Sequence, residues 1–435
     1  MKSKRKIRVI TLGCSKNDVD TEHLLSCLPD SDFEFSGEES DEPVDTLLIN
    51  TCGFIGDAKQ ESIDCILANA GRKKQGKVGK IAVFGCLSQR YARELPSLIP
   101  EVDAWFGARR LNPVLRWLGV SGDADGSTSR RMKPQPYAYL KISEGCNRRC
   151  SYCAIPSIRG RHRSVPKETL GEEAAGRAAG GGKELLLIAQ DSTWYGLDLY
   201  GERALGRLLD ALSEVEGIGR LRIHYSHPDG FPVDVLGRMA SNPKVCRYLD
   251  IPLQHISDKV LRAMHRHVSG AWTRSLVERL RREVPGVALR TTMIVGHPGE
   301  GEAEFAELLD FVKEARFERL GAFSYSEEEG TWGAAHLADS IPAGEKQRRL
   351  DALMDLQRSI SRECNEARVG STARVLVDAL GDGLLVGRSE FESPEVDGEI
   401  LVSSAGVADP GALVGTFIDV RITGADDYDL TAQLI

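Results

Sequence analysis

The chain has 435 residues, more than one hydrophobic core usually organises, so we expect two or three domains. With 41% hydrophobic and 28% charged residues, it has the composition of a soluble globular protein, which excludes a disordered chain. No apolar run approaches the ~20 residues that span a bilayer, and the first residues lack the features of a signal peptide. We therefore expect a cytoplasmic protein without a membrane contact, whose ten cysteines stay reduced.

The net charge of −8 is confined to the end of the chain. Residues 367–435 contain four arginines, no lysine and twelve acidic residues, so this segment alone carries −8. The first 366 residues are balanced, with 52 charges of each sign. An acidic segment of this kind repels a phosphate backbone and attracts basic proteins.

The first segment, residues 1–120, repeats one pattern three times. Buried strands are predicted at residues 8–12, 46–50 and 80–84, with helical stretches between them. Each strand is followed at once by a turn and a cysteine, which gives the set Cys14, Cys52 and Cys86. Alternating strands and helices indicate a parallel sheet, and its strand ends share one edge. We therefore expect these three cysteines to converge.

Two further segments follow a polar, proline-ended linker at residues 121–136. In residues 137–366, six strands are predicted, at 138–142, 184–189, 220–225, 248–253, 287–295 and 322–325. In residues 367–435, five short strands are predicted, at 375–377, 384–388, 399–402, 416–422 and 430–434. The predicted fold class is α/β, with an N-terminal parallel α/β domain, a central partial (β/α)6 barrel and a small C-terminal antiparallel β-barrel.

The sharpest motif has the spacing C-x3-C-x2-C and contains Cys146, Cys150 and Cys153. Three thiolates do not complete a tetrahedral zinc site by themselves, but they can hold a 4Fe–4S cluster and leave one iron open. Two alternatives are three buried cysteines and a zinc site completed by His162. The spacing, on a loop that follows the first strand of the barrel, favours the cluster.

The three cysteines at the strand ends of the first segment form a second set of three ligands. Three thiolates again leave one iron open, so a second 4Fe–4S cluster is predicted. The alternative is that some of them are small core residues, as free cysteines usually are. The core interpretation is the one we prefer for the remaining cysteines, which are Cys27, Cys65, Cys246 and Cys364.

The C-x3-C-x2-C motif resembles that of the radical S-adenosylmethionine (SAM) enzymes, in which the open iron is chelated by SAM. The resemblance implies SAM as a cofactor, with Tyr152 beside the adenine. Gln190 and Asp191 stand at the second strand end, where members of the family contact the methionine amine, although the usual Gly-Gly-Glu is absent. Gly296 and Glu300 are similar to the strand-and-turn element near the ribose and methionine. An ordinary strand that ends in a Pro-Gly turn is the alternative for these two.

The three segments together resemble the methylthiotransferases, over nearly the whole chain. Residues 11–22 read Thr-Leu-Gly-Cys-Ser-Lys-Asn-Asp-Val-Asp-Thr-Glu and are similar to the Leu-Gly-Cys-Pro-Lys-Asn-x-Val-Asp-Ser-Glu start of the RimO branch. Ser15 replaces the usual proline. The tRNA-modifying branch usually reads Gly-Cys-Gln-Met-Asn there. Residues 137–146 and 387–398 also resemble the RimO branch.

The resemblance implies a methylthiotransferase that modifies the β-carbon of an aspartate in small-subunit ribosomal protein twelve. Two 4Fe–4S clusters and SAM are the implied cofactors, and no catalytic residue is assigned beyond the cluster ligands. A basic ribosomal protein and an electron donor are the implied partners. The last segment resembles the TRAM module, which grips RNA in relatives, but its charge makes RNA binding unfavourable.

Five carboxylates of the last segment cluster on one predicted strand–turn–strand stretch and are expected to help attract the basic partner, and they are Glu390, Glu392, Glu395, Asp397 and Glu399. The alternative is that this acidity only keeps the domain soluble. The arginines near the first cysteine motif have two interpretations, contact with an acidic substrate or a solvated basic loop. They are Arg148, Arg149, Arg159, Arg161 and Arg163.

Two other functions remain open from the sequence. The nearest is a tRNA adenosine methylthiotransferase, for which a basic last segment would be expected. The other is a two-cluster electron-transfer or ribosome-associated binding protein. A pure electron carrier needs neither open irons nor a barrel of about 230 residues, so it ranks lower.

Overall fold

The computed structural model describes residues 3–38, 40–122, 129–130 and 135–435. Most of the predicted linker, residues 123–128 and 131–134, lies outside the described residues. The described chain forms an N-terminal parallel sheet with helices, a second and larger parallel sheet with helices, and a closed five-stranded barrel. The predicted fold class is therefore confirmed.

The N-terminal sheet has five parallel strands in the order β2-β1-β3-β4-β5. Its strands are β1 (Arg5–Thr11), β2 (Phe33–Ser36), β3 (Val44–Thr51), β4 (Val78–Gly85) and β5 (Ala104–Trp105). Its helices are α1 (Ser15–Ser26), α2 (Gly56–Lys74), α3 (Cys86–Arg90), α4 (Leu95–Leu98) and α5 (Asn112–Trp117). The three predicted strands are the long central ones, β1, β3 and β4, and their apolar residues fill the cores on both faces of the sheet.

The middle sheet has six parallel strands in the order β13-β12-β11-β10-β9-β6, so β6 and β13 are its edges. These strands are β6 (Tyr137–Lys141), β9 (Glu184–Ile188), β10 (Arg220–Ile223), β11 (Val245–Asp250), β12 (Ala288–Val295) and β13 (Arg319–Ser324). Two short antiparallel strands, β7 (Ser143–Glu144) and β8 (Arg163–Ser164), flank the loop after β6. All six predicted strands are present, with ends that differ by a few residues.

Helices follow the strands of the middle sheet and cover it. They are α6 (Ile155–Arg159), α7 (Lys167–Ala179), α8 (Leu197–Tyr200), α9 (Leu205–Ser213), α10 (Asp234–Ser241), α11 (Asp258–Ala263), α12 (Gly270–Glu283), α13 (Glu302–Ala315), α14 (Trp332–His336) and α15 (Ala343–Glu366). Between strand and helix faces lies the largest apolar core of the protein.

The last part of the chain is a closed barrel of five strands. They are β14 (Thr372–Gly381), β15 (Leu384–Arg388), β16 (Ile400–Ser403), β17 (Phe417–Ala425) and β18 (Leu430–Leu434). Four neighbouring pairs are antiparallel, as predicted, but β16 and β18 pair in parallel. A parallel pair is possible here because a whole strand, β17, lies between them in the chain and reverses its direction.

Among the described residues, no helix combines the length and the apolar composition needed to cross a bilayer.

Candidate functional site

The first-segment cysteines lie at the carboxyl ends of three adjacent strands, β1, β3 and β4. The turns that carry them pack tightly against one another. Gly13 has φ of +101°, and a Cβ atom there would lie 2.6 Å from Cβ of Cys52. A Cβ atom at Gly53 would lie 2.6 Å from Cα of Leu87. Glycine is thus required where the turns touch, and this close approach brings Cys14, Cys52 and Cys86 to one place.

The C-x3-C-x2-C cysteines lie on the loop between β7 and α6, at the carboxyl end of β6. Backbone hydrogen bonds hold this loop in shape. The amide of Cys146 donates to the carbonyl of Gly160 at 3.0 Å, and the amide of Ser151 donates to that of Met264 at 3.0 Å. The amide of Arg148 donates to the Cys146 sulfur at 3.3 Å. The loop is therefore fixed by neighbouring loops as well as by its own turns.

The two cysteine sets are neighbours, and Arg159 lies between them. Its side chain donates to Cys86 Sγ at 3.2 Å and to Glu144 at 3.2 Å, just before the first cysteine of the other set. Cys86 also packs against Ala154, which follows Cys153 in the chain. We call this region, where the carboxyl ends of the middle strands meet the N-terminal domain, the cysteine end of the molecule.

Buried charges at the cysteine end balance one another. Arg159, only 4% exposed, pairs with Asp20 of α1 at 2.6 Å, and Lys141 pairs with both Asp20 and Glu144. Burial by itself raises the pKa of Glu144, but Lys141 and Arg159 outweigh it and lower that pKa to about 2. Glu144 therefore stays ionised between Lys141 and Arg159, at the boundary between the two domains.

Neither cysteine set is arranged around a single metal ion. Within the described residues, no group of three or more His, Cys, Asp or Glu side chains could hold one. Zinc would need its thiolates ~2.3 Å from one point, whereas a cluster of four irons accepts ligands that are farther apart. His162 instead lies 3.1 Å from the Ser164 hydroxyl, so the zinc interpretation does not fit. The thiols fit a cluster better.

Burial raises the thiol pKa in both sets, to about 11 for Cys86 and about 12 for Cys146. Buried thiols of this kind are neutral unless a bound cation draws off the proton. The sulfur atoms of these cysteines are therefore suited to bind a cationic centre rather than to act as free nucleophiles. The other four cysteines pack against apolar side chains, in agreement with the core interpretation.

The residues predicted to contact SAM at the second strand end form hydrogen bonds within the protein. Gln190 donates to Glu144 at 2.8 Å, which connects that strand end to the charged group at the cysteine end. Asp191 accepts from Thr193 at 3.0 Å and from Arg148 at 2.9 Å. Tyr152 lies beside His297, with their ring centres 6.4 Å apart. All three lie at the same end of the sheet as the cysteines, and their contacts with SAM stay predictions.

Gly296 and Glu300 lie in the turn between β12 and α13. Gly296 has φ of +72°, and its amide donates to the Glu300 carboxylate at 3.0 Å. That carboxylate also pairs with Arg349 at 2.8 Å and lies 3.3 Å from His255 Nε2. Glu300 therefore shapes this turn, and a direct contact of Glu300 with SAM stays a prediction.

The arginines near the first motif differ in environment. Arg159 is buried, and Arg148 is held by Asp191 and by Asp229 at 2.5 Å. For these two, the interpretation as a solvated loop is wrong. The remaining three are exposed, and they are Arg149, Arg161 and Arg163. They form the rim of the cysteine end.

Of the five carboxylates expected to attract a basic partner, Glu392 is buried, Glu390 and Asp397 are partly buried, and Glu395 and Glu399 are exposed. Glu390 pairs with Arg247 at 2.7 Å, and Asp397 accepts from the Tyr248 hydroxyl at 2.7 Å. Both partners belong to the middle sheet. Arginines of the middle domain neutralise two carboxylates of the segment between β15 and β16, and tyrosine hydroxyls of the middle strands donate hydrogen bonds to two others.

The other two carboxylates of that segment also bond to residues of the middle sheet. Glu392 is buried, accepts from Ser389 at 2.6 Å and pairs with Arg319 at 3.3 Å. Glu395 accepts from the hydroxyls of two tyrosines of β6, Tyr137 at 2.9 Å and Tyr139 at 2.8 Å. Of the five, only Glu399 stays on the exposed side of the barrel without such a partner in the middle sheet, among the described residues.

We call this opposite region, where the terminal barrel meets the amino ends of the middle strands, the arginine end. At its centre Glu184 is fully buried and pairs with Arg222 at 2.7 Å and Arg388 at 2.8 Å. A cavity of about 610 Å³ also lies here, lined in part by Arg220 and Arg374, and it is distant from both cysteine sets. Cavity size alone therefore does not mark the site.

Sequence reasoning missed the charged group of Asp20, Lys141, Glu144 and Arg159. Asp20 and Arg159 are 139 positions apart in the chain, so no local spacing connects them. One signal was available: each of the four lies within six residues of a predicted cysteine ligand.

Three regions of the chain match known families. Residues 6–107 match Uncharacterized protein family UPF0004, residues 140–312 match the Radical SAM superfamily, and residues 369–435 match the TRAM domain. The Radical SAM match implies a 4Fe–4S cluster and SAM as cofactors.

The chain is similar over its full length to curated relatives. It is 48% identical to "Ribosomal protein uS12 methylthiotransferase RimO" of Bacteroides thetaiotaomicron, covering 100% of this chain and 99% of the relative. The relative of the same name from Cytophaga hutchinsonii is 47% identical, with 99% and 98% covered.

Among solved structures, the fold is similar to the radical S-adenosylmethionine methyltransferase TsrM of Kitasatospora setae, with a TM-score of 0.58 and 13% identity. That match covers 95% of this chain and 85% of the other, and it shows the fold alone. The full-length identity to the curated relatives shows more: the chain belongs to the RimO family of ribosomal protein uS12 methylthiotransferases.

Proposed function

We propose that this protein is a radical SAM methylthiotransferase, which attaches a methylthio group to the β-carbon of an aspartate in ribosomal protein uS12. The observation that carries this proposal is the 48% identity over the whole chain to relatives of that name. The neighbouring positions of the two cysteine sets also support the proposal, because two cofactors that act at one carbon must be held close together.

Both cysteine sets have a role in this proposal. Cys146, Cys150 and Cys153 would hold the cluster that binds SAM, and Cys14, Cys52 and Cys86 would hold a second 4Fe–4S cluster. When bound, these groups supply the radical that removes hydrogen from an unactivated carbon, together with the sulfur and the methyl group. Tyr152, Gln190, Asp191, Gly296 and Glu300 would surround SAM, directly or through the loops that they hold.

The chain's own side chains orient the site and keep it dry. Arg159 holds the turn of Cys86 and the strand end at Glu144 at a fixed separation, so the two cysteine sets keep one relative position. The group formed with Asp20 and Lys141 is buried, which limits the access of water to the gap between the domains. Exclusion of water protects a radical from side reactions.

The outer face of the terminal barrel would guide a basic substrate. Seven of its acidic residues are exposed, and they are Asp382, Glu395, Glu399, Asp409, Asp419, Asp426 and Asp429. Ribosomal proteins are basic, so this face attracts them, and the same charge disfavours RNA. A ribosomal substrate also places the reaction in the cytoplasm, and the proposed chemistry requires an electron donor.

Mass spectrometry of ribosomal proteins and tRNA, from cells with and without the gene, tests the proposed function. We expect a methylthiolated aspartate in uS12 that disappears when the gene is deleted, with tRNA unchanged. Loss of a methylthio group from a tRNA adenosine, with uS12 unchanged, would contradict the proposal. Reconstituted protein with SAM and reductant should also release 5′-deoxyadenosine, which an electron carrier would not do.

A further inference from the structure

A lysine with an unusual environment lies beside the second cysteine set. Lys16 is in the first turn of α1, two residues after Cys14, and only 8% of its surface is exposed. Its Nζ atom lies 3.0 Å from the centre of the Tyr225 ring, at the carboxyl end of β10. The side chain therefore crosses from the N-terminal domain to the strand ends of the middle sheet, between the two domains.

The charge of Lys16 has no counter-charge in the described part of the chain, where its ammonium makes neither a hydrogen bond nor an ion pair. A ring face attracts a cation but does not neutralise it, and a buried ammonium is costly without an anion. This position thus has a cation that lacks an anionic partner.

The other buried cations at the cysteine end already have partners. Lys141 and Arg159 share the carboxylates of Asp20 and Glu144, and Arg148 is held by two aspartates. Arg266 lies beside Cys150 and Tyr152 and donates to the carbonyl of Pro252. Arg266 has no carboxylate partner, but its guanidinium is held by that carbonyl, so within the described residues Lys16 is the buried cation at this end whose head group makes neither a hydrogen bond nor an ion pair.

The ring below Lys16 is held in a strained position. Tyr225 has φ of +58°, which is costly for a large side chain with a Cβ atom. Its amide donates to Asp250 at 3.1 Å, and its carbonyl accepts from the amide of Ser192 at 3.1 Å. These bonds fix the backbone, so the ring and the ammonium face the gap together. Strain maintained by several bonds is typical of functional sites.

We propose that Lys16 binds the side-chain carboxylate of the substrate aspartate and so places its β-carbon between the two cysteine sets. The inference rests on the proposed function, because only a substrate with a carboxylate next to the reacting carbon needs this cation. A carboxylate that enters a buried gap must meet a positive charge, and Lys16 is the one available. Lys16 is therefore a positioning and specificity residue.

A double-mutant cycle between enzyme and substrate tests this assignment with the full-length reconstituted protein. The enzyme variants are Lys16→Met, which keeps the length and apolar stem, and Lys16→Arg, which keeps the charge. The substrates are uS12 with its target aspartate and the same protein with that aspartate changed to asparagine. Arg161→Met, at the exposed rim, is the matched control. Binding is measured by calorimetry, and iron content and 5′-deoxyadenosine formation are measured beside it.

We expect Lys16→Met to weaken binding of the aspartate substrate on the order of 30-fold and to leave binding of the asparagine substrate unchanged. Lys16→Arg should restore most of the loss, and Arg161→Met should change binding less than about threefold. A cation that only balances the cysteines would instead alter iron content and affect both substrates equally. That result, or unchanged binding in Lys16→Met, would overturn the inference.

A second measurement uses the unaltered enzyme, in case Lys16→Met loses its iron. A carbodiimide joins an amine to a nearby carboxylate as an amide, with the oxygen leaving as urea. Treatment of the complex with uS12 should give a crosslink from Lys16 to the target aspartate, absent with the asparagine substrate. Crosslinks from that aspartate only to other lysines would overturn the inference. Failure of the unaltered enzyme to modify uS12 would instead contradict the proposed function.

Discussion

The two ends of the middle sheet are both rich in buried charge, but they are organised for different purposes. At the cysteine end, two cations and two carboxylates pair with one another beside Cys86, and a third cation, Lys16, has no ion-pair partner among the described residues. At the arginine end, Glu184, Glu392 and their arginines pair with one another across the terminal barrel. The cysteine end thus keeps one cation, Lys16, available for a ligand, whereas the buried charges of the arginine end neutralise one another and join the domains.

Replacing the C-x3-C-x2-C cysteines should have the largest effect on the reaction, and this effect belongs to the cysteine end alone. Changing Cys146, Cys150 and Cys153 to alanine removes all three ligands of one cluster, so 5′-deoxyadenosine should fall to background and iron should drop from about eight to about four per chain. Iron analysis and chromatography of the products measure both. Full iron content in this variant would show that the ligands are assigned wrongly.

Replacing the second cysteine set should separate the two reactions of the cysteine end, release of 5′-deoxyadenosine and methylthiolation. With Cys14, Cys52 and Cys86 changed to alanine, release of 5′-deoxyadenosine should persist, because the other set is intact. Methylthiolation of uS12 should be lost, because we assign the supply of sulfur to the cluster that these three cysteines would hold. Mass spectrometry of uS12 is the measurement, and methylthiolated product from this variant would mean that sulfur enters elsewhere.

Arg159 links the two cysteine sets, and its loss should weaken both folding and alignment. Arg159→Met leaves Asp20 and Glu144 with Lys141 alone, and an uncompensated buried carboxylate costs about 3–5 kcal/mol. Urea unfolding should show this loss, and methylthiolation should decline more than release of 5′-deoxyadenosine. Arg161→Met is the control, and exposed positions change stability by less than about 0.5 kcal/mol. Equal stability of both variants would show that the buried group does not hold the domains.

The arginine end should affect stability without affecting chemistry. Burial alone raises the pKa of Glu184, but Arg222 and Arg388 outweigh it and lower that pKa from 4.5 to about 2. Because the folded pKa lies below the unfolded one, the stabilisation is complete above about pH 4.5 and is lost as the pH falls towards 2. Glu184→Gln should therefore be less stable than the parent at pH 7, and the difference should shrink as the pH falls.

Urea unfolding at several pH values tests that prediction, with the exposed Glu202→Gln as the control. Release of 5′-deoxyadenosine per folded molecule should be unchanged in Glu184→Gln, because Glu184 lies at the opposite end from the cysteines. A variant that remained stable but lost this reaction would show that the two ends are coupled.

The outer acidic face should give the smallest effect. Changing Asp382, Asp419 and Asp426 to asparagine should slow modification of uS12 a few-fold at low salt, and the difference should vanish when salt screens the charges. The same number of charges is removed in a control that changes Glu216, Glu278 and Glu307 of the middle domain to glutamine. Equal slowing in both variants would mean that net charge, and not this face, guides the substrate.

The sequence predicted most of the fold because long buried strands have strong patterns. The predicted strand 46–50 is the centre of β3 (Val44–Thr51), and the helical stretch predicted after it is α2 (Gly56–Lys74). The edge strand β5 (Ala104–Trp105) was missed because two residues contain no periodicity. The position of the cysteine sets at strand ends follows from parallel topology, which is a property of the backbone and can be inferred from element order.

Side-chain partners were beyond the reach of sequence patterns. The acidic count of the last segment was correct, but a count of charges does not show which carboxylates face inward. Glu392 pairs with Arg319, which lies 73 positions away, and Asp397 accepts a hydrogen bond from Tyr248, which lies 149 positions away. Lys16 likewise became distinctive only when its neighbours across the domain boundary were known.

The central claim is that the cysteine end inserts a methylthio group into an aspartate of uS12. The most direct measurement is mass spectrometry of purified uS12 after incubation with the reconstituted protein, SAM and reductant. We predict that one aspartate gains a methylthio group in place of hydrogen, and that the product is absent when either cysteine set is changed to alanine. Release of 5′-deoxyadenosine with unmodified uS12, together with a methylthio group on tRNA supplied in the same reaction, would contradict the claim.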